Sequence, residues 1–438
     1  MRASFIQAWL RLRASYYFLP SLMAAGALLL ATVTTRIDLR FQDEIADMLG
    51  WFYAGTTDGA RSVLSAIAGS MISVAAVTFS LTMVAVTTAA GQYGPRLISN
   101  FMRDRANQVT LGTFLATFLY ALMVLRAVSA TRNDGMEGLV PSLSVLAALA
   151  LTLISVGVLI HFIHHIPETL NVGTITGKVA RKLTGQIENG VFPTHDGLEG
   201  KDCSGLGDPF NPALTQDVKT DQAGFVEAVS LEGLVEWAEE HSARIRLLCV
   251  PGDFLMTGDP VLEIVMDDAS APVDAKRNDT IRAFIAQGTE RTAHQNALFL
   301  ADELVEIAAR ALSPGVNDPF TAINCIHWYG EACLKMMQAP PAPHCLGQAE
   351  GAPRVWTRTV DFKRLCDVLF GQSRQYICED ENAARETLRT LYRLKDRVPS
   401  RHDAVLDGHI AGLKTAIAQS GLSDAQKSRL RNGPPFSY

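Results

Sequence analysis

An α-helical membrane domain of four transmembrane helices, followed by a mixed α/β, mainly helical cytoplasmic domain, is the fold class this sequence predicts. Three observations carry it. Long apolar stretches crowd residues 1–165, whereas residues 170–438 have ordinary globular composition and hold most of the carboxylates. A strand–helix–strand–turn–strand pattern opens the second half. From about Asp279 onward, apolar residues recur at helical spacing. The chain averages, 48% hydrophobic and a mean hydropathy of +0.13, hide this division.

A bilayer core takes roughly 20 apolar residues per helix. Stretches that meet this are about Tyr16–Thr35, Val63–Thr88, Leu111–Val128 and Pro141–Phe162. Arg2, Arg11 and Arg13 before the first resemble the basic start of a signal peptide. No small-x-small cleavage site follows, and further spans do, so the stretch reads as an uncleaved anchor. Arg96, Arg103 and Arg105 lie between the second and third spans, and Lys178, Arg181 and Lys182 follow the fourth. The positive-inside rule puts these segments, and both termini, in the cytoplasm. The loop between the first two spans, with Asp38, Asp43, Glu44, Asp47 and Asp58, is expected outside. Within it Ile45, Met48, Leu49 and Phe52 keep helical spacing beside Trp51 and Tyr53, which suits a helix lying flat at the headgroup level.

Beyond the membrane domain (1–170) the sequence divides into an exit helix and polar linker (171–223), a small β-rich module (224–275) and a helical domain (276–438). Thr194–Ala223 reads as mostly loop. In the β-rich module, Leu231, Leu234, Val235 and Ala238 stripe a helix between strands, and Pro251-Gly252-Asp253 and Gly258-Asp259-Pro260 are turns. No lysine stands between Lys219 and Lys276, so a carrier bearing a modified lysine is excluded. Further helices are expected over Asp279–Gln287, Glu290–Leu312, from Pro319 with Asp318 as N-cap, Val360–Tyr376 and Asn382–Val398. Ala339–Pro353 reads as a loop.

The seven cysteines, from Cys203 to Cys378, include no CxxC pair, which speaks against a zinc ribbon or redox dithiol. Read as seven free thiols, they suit a reducing compartment. A net charge of −6, with no basic stripe, argues against nucleic-acid binding. No phosphate-binding, nucleophile-elbow, zincin or dinucleotide motif occurs, so no cofactor is expected and an enzyme is disfavoured.

The second span is the most informative. Ser62, Ser65, Gly69, Ser73, Ala76, Ser80 and Thr87 share one face at steps of three and four. Hydroxyls at each turn could line a water path. Equally, Gly69 and Ser73 form a small-xxx-small pair for close helix packing. At the end of the fourth span, His161, His165 and Glu168 are a His/His/carboxylate set at helical spacing, able in principle to hold a divalent metal. Against this, Pro167 interrupts the pattern. A third candidate, for a small ion or anionic ligand, combines Arg291, Gln295 and Arg310 with the helix start at Asn317 and Asp318. Its structural alternative is a tight turn in which Asp318 caps its own helix.

Two segments, SAIAGSMISVAAVTFSLTMVAVTTAAGQYGPRLISNFMRDRANQVTLGTFLATFLYALMVLR and RTAHQNALFLADELVEIAARALSPGVNDPFTAINCI, resemble a bacterial family of predicted inner-membrane proteins, domain of unknown function 2254. The resemblance extends over nearly the whole chain and implies four spans, a cytoplasmic domain and a place in the bacterial inner membrane. It brings no activity, substrate or catalytic residue. An acidic residue often follows the glutamine of the family's RTxxQ pattern, where this chain has Asn296. The leading functional expectation is an oligomeric channel- or transporter-like protein, embedded in the lipid bilayer, whose cytoplasmic domain gates or senses. The alternatives are a non-conducting signalling or scaffold protein and a membrane enzyme acting on a lipid or cytoplasmic substrate.

Overall fold

The structure is a computed structural model that describes residues 17–41, 57–94, 105–130, 141–188, 198–201, 203, 208–211, 214–267, 275–293, 295–339, 344–348, 351–358 and 360–432. The chain forms two compact units, Met1–Asn171 and Val172–Tyr438.

Four helices make the first unit: α1 (Phe18–Arg40), α2 (Thr57–Tyr93), α3 (Arg105–Ala130) and α4 (Ser142–Leu170). All four are long and apolar enough to cross a membrane. Each outlasts its predicted apolar stretch, because polar residues at the ends still close backbone hydrogen bonds within the helix. At 37 residues, α2 is about 55 Å long against a hydrocarbon core of about 30 Å. A helix of that length across such a core would have to tilt or project beyond it. Helix α3 is central and packs on the other three. Phe114, Tyr120, Ala121 and Val124 of α3 join Ala27 and Ala31 of α1, Leu64 and Met71 of α2, and Val145 and Ala148 of α4 in one core. Gly112 sets the α1–α3 approach. A Cβ there would stand 2.6 Å from the Met23 sulfur and 3.2 Å from the Pro20 Cα.

Asp38, expected in the outer loop, lies on α1 and is buried. Helix α4 runs through Pro167 without a break. The expected surface helix around Ile45–Phe52 lies outside the described residues.

The second unit opens with α5 (Val172–Glu188), whose buried stripe Ile175, Val179, Leu183 and Ile187 packs within that unit. Two sheets follow. One has the order β1-β8-β9-β4-β6-β2, the other β5-β3-β7. The strands are β1 (Leu198–Lys201), β2 (Gln216–Lys219), β3 (Gly224–Val229), β4 (Ala243–Leu247), β5 (Phe254–Leu255), β6 (Pro260–Met266), β7 (Ile285–Gly288), β8 (Cys345–Gln348) and β9 (Val355–Trp356). Between β3 and β4, α6 (Leu231–Glu240) is capped by Ser230 and buries Leu231, Leu234, Val235 and Ala238, the stripe read from sequence. These join Val226, Ile245, Leu262 and Ile264 in a shared core.

Both segments read as loops contribute strands, and they meet. β1 and β2 come from Thr194–Ala223, β8 from Ala339–Pro353, and β1 pairs antiparallel with β8. Cys203 and Cys345 join the same two segments by a disulfide. The expectation of seven free thiols is thereby corrected, and the thiol argument for a reducing compartment no longer holds. Cys249, Cys325, Cys333, Cys366 and Cys378 are free and buried. Burial pushes the Cys249 thiol up to about 12, so it stays protonated and unreactive.

Two helix boundaries also differ. Helix α7 spans Ala275–Arg282 and covers only Asp279–Arg282 of the expected Asp279–Gln287 helix, and Ile285–Gly288 pairs as β7 with β3. The helix expected from Glu290 begins at Ala297 (α8, Ala297–Ala311), because Asn296 caps it and Gln295 turns the chain at φ +54°. Next come α9 (Pro319–Gln338), α10 (Phe362–Cys366), a π-helical turn at Asp367–Gly371, α11 (Arg374–Ile377), α12 (Glu381–Lys395), α13 (Asp403–Gln419) and α14 (Asp424–Asn432). Tyr329 of α9 is wholly buried and meets Phe370 edge-on, 5.7 Å between centroids.

Candidate functional site

The second span contrasts its two faces. Toward α3 and α4 it buries Ala60, Leu64, Ile67, Met71, Ala75, Thr78, Thr82, Val86 and Ala89. At about 100° per residue, the small-residue seam lies on the opposite side. Ser62, Ser65, Gly69, Ser73, Ala76, Ser80 and Thr87 are all exposed on the single chain. Ser62, Ser73 and Thr87 return their hydroxyls to the carbonyls of Asp58, Gly69 and Met83, at 2.8, 2.8 and 2.9 Å. Ser65 and Ser80 have no such bond among the described residues. Nothing lies within 4 Å of a Cβ built on Gly69. Phe79 and Leu81 flank the seam on either side and are exposed as well.

A buried polar network, not read from the sequence, holds the other end of the bundle interior. Asp38, 3% exposed, accepts from the Leu143 N–H at 3.0 Å, the Ser144 N–H at 2.9 Å and the Ser144 hydroxyl at 2.6 Å. A side chain of α1 thus caps the N-terminus of α4, taking N–H groups that the helix itself leaves without acceptors. Tyr120 donates its hydroxyl to the Ser144 carbonyl at 3.1 Å and meets Thr34 Oγ1 at 2.9 Å. Thr117 and Ser155 share a second buried contact of 2.9 Å between α3 and α4. The available signal was Thr34 and Asp38, four residues apart at the end of an apolar helix.

The histidines near the end of α4 come together. The rings of His161 and His165 stack with centroids 5.6 Å apart. The side chain of Glu168 lies outside the described residues. Among those described, no group of three His, Cys, Asp or Glu side chains is placed to hold a metal.

The five residues of the anion candidate separate into two places. Arg291 pairs with Asp302 at 2.6 Å. Gln295 makes a two-point bond to the Val229 backbone, accepting from its N–H at 2.9 Å and donating to its carbonyl at 3.3 Å. Asn296 Oδ1 accepts from the Phe299 N–H at 2.9 Å. This RTAHQN segment ties the start of α8 to β3. Arg310 sits at the far end of α8, about 20 Å along its axis, where it pairs with Glu306. Asn317 takes φ +49°. Asp318 accepts from the Thr321 N–H at 3.1 Å and from its hydroxyl at 2.6 Å. The carboxylate occupies the helix start that an anion would need.

Comparison with known proteins places the chain. It is 31% identical over 278 residues to uncharacterized proteins of Mycobacterium tuberculosis and Mycobacterium bovis, covering 63% of this chain and 52% of each relative. The chain thus spans about half the length of the curated relatives it matches. No solved structure matches it. A family model described as "Predicted membrane protein", domain of unknown function 2254, matches residues 13–393. Four candidate spans ahead of a mixed, mainly helical unit agree with that description, and the chain belongs to this family.

Proposed function

We propose that the protein is an oligomeric, channel-like component of the bacterial inner membrane, with copies meeting along the α2 seam and its second unit on the cytoplasmic side. The observation that carries this reading is the exposure of all seven seam residues on the face opposite α2's own packing face. Exposed hydroxyls without a partner are costly in hydrocarbon, and Ser65 and Ser80 find none among the described residues. Water along a central axis would supply partners, and the bare backbone at Gly69 lets a neighbouring helix approach. The arginine and lysine placement supports the orientation.

Cysteine scanning tests it. Single cysteines at Ser65, Ser73 and Ser80, after replacement of the native cysteines, should react with a small charged thiol reagent in membranes. Cysteines at Phe79 and Leu81 should not. Uniform silence along the seam in folded protein removes the water path. If Gly69→Leu then also dissociates the assembly, the seam is a dry packing face, and a non-conducting scaffold is the function.

A further inference from the structure

We infer that the groove between the start of α3 and the middle of α4 is a binding site for an anionic phospholipid. The groove, about 410 Å³, is within the roughly 300–1,000 Å³ of small-ligand sites. Its walls are apolar: Val109 from α3, and Ile154, Gly157 and Val158 from α4. Its polar side chains gather at one end, Arg105 from α3 and His161 from α4. Thr110, also in the lining, turns its hydroxyl back to the Ala106 carbonyl and offers no donor.

Depth along the membrane favours a lipid over a soluble ligand. Arg105 opens the third span, and His161 stands five residues before the end of the fourth. At 1.5 Å per residue the imidazole sits about 7 Å inside that end. The Arg105 guanidinium, at the first residue of its span, reaches the phosphate level by extending its stem. Arg105 has no carboxylate partner among the described residues. The trough exists because α4 carries glycine at position 157, where nothing lies within 4 Å of an added Cβ. Val109 and Ile154, 39% and 56% exposed, give an acyl chain an apolar wall on each side. The chemistry is that of a diacyl lipid with a net negative headgroup: phosphate on Arg105, one chain in the trough.

The test uses the full chain, delipidated in detergent, with bound lipid counted by native mass spectrometry during titration with phosphatidylglycerol or phosphatidylcholine. Phosphatidylglycerol should bind more tightly. Arg105→Gln should weaken its binding about fivefold, the scale of one basic residue at a membrane surface, and leave phosphatidylcholine unchanged. A Cβ at Gly157 meets nothing within 4 Å, so Gly157→Leu should fill the trough and reduce the binding of both lipids while the melting temperature stays at the wild-type value. Millimolar inorganic phosphate should not displace the lipid. Equal binding of the two lipids by the wild type, or undiminished phosphatidylglycerol binding by Gly157→Leu, overturns the inference. Displacement by phosphate alone would show a simple anion site and also overturn it.

Discussion

Replacing Asp38 by alanine should be among the most destabilising single changes in the membrane unit. The carboxylate takes three donors, the two of Ser144 buried and the Leu143 N–H half-buried. Helix caps measured at wet helix ends contribute about 0.5–2 kcal/mol, because water replaces the lost acceptor. At the two buried Ser144 donors water has no access, and leaving a buried donor unmet costs about 1–3 kcal/mol. The bonds share one side chain and two adjacent residues, so their losses do not add. About 3–5 kcal/mol is the resulting expectation for Asp38→Ala. Asparagine keeps one carbonyl acceptor for the paired N–H groups, so Asp38→Asn should lose about half of that. Ser144→Ala removes only the hydroxyl donor and should cost about 1 kcal/mol. The assay is equilibrium unfolding in mixed detergent micelles, following helicity and aggregation-free elution together. A double-mutant cycle between Asp38→Ala and Ser144→Ala should show coupling of the order of 1 kcal/mol. An Asp38→Ala protein as stable as the wild type would refute the cap, and the carboxylate would then be free for a role in transport.

Other expectations are quicker to check. Gly112→Leu drives a side chain into Met23 and the Pro20 backbone, and overpacking of this kind costs about 1–3 kcal/mol; the melting temperature should fall, and no fall would mean that α1 packs elsewhere. Peptide mapping without reductant should recover the Cys203–Cys345 cross-link; Cys203→Ser should lower stability by about 2–4 kcal/mol and open the segment around β1 to protease, whereas free thiols at both positions in the cell would support a reducing surrounding. Burial holds His409 below the ordinary histidine range, against the raising effect of Asp367 and with that of Arg374 and Lys363. The unfolded chain therefore binds a proton more readily, so stability is full above about pH 6.5 and declines as the pH falls below it; His409→Gln should flatten that slope in a pH series of unfolding midpoints.

Local periodicity explains what was legible in the sequence. Four apolar stretches gave α1–α4, and the spacing of Leu231, Leu234, Val235 and Ala238 gave α6. Asp318 and Pro319 marked the start of α9 in two adjacent residues. What escaped depends on partners far away in the chain. β1 and β8 are four-residue strands at a sheet end with no alternating pattern, and their pairing joins residues more than 140 apart. β7 read as helix because Ile281 and Ile285 are four apart, a spacing that suits one helical turn as well as a helix ending before a strand; both side chains are buried. In the RTAHQN segment, Gln295 and Asn296 fall inside the helix expected over Glu290–Leu312, with Gln295 offered as part of an anion site. Instead, one imitates a strand by bonding both backbone groups of Val229, and the other caps. Gly252, at φ +99°, allows this, since a Cβ there would lie 2.1 Å from the Asn296 amide. Asp38 was misplaced for a related reason: its acceptor role is set by α4, more than 100 residues on.

Polar groups in the membrane unit separate by where their partners are, and this separation is what makes the outer faces informative. Inside the bundle, Asp38, Tyr120, Ser144, Thr34, Thr117 and Ser155 satisfy one another across helices. Such pairs fix which helices are neighbours, and each contributes modestly in a bilayer, about 0.6 kcal/mol on average. Outside, a helix in lipid gains nothing from serine or glycine, because leucine or valine would serve there at no cost. The outward arc of α2 nevertheless alternates between lipid-suited residues, Phe79 and Leu81, and the seam, two of whose hydroxyls have no partner among the described residues. On α4 the same contrast recurs, with Gly157 open beside exposed Leu153 and Ile154. If both faces simply met bulk lipid, Gly69→Leu and Gly157→Leu would be equally silent in assembly and in lipid retention. The proposals separate them: the first substitution should change the assembly alone, the second lipid binding alone, and a variant pair without that division would leave neither face with a partner.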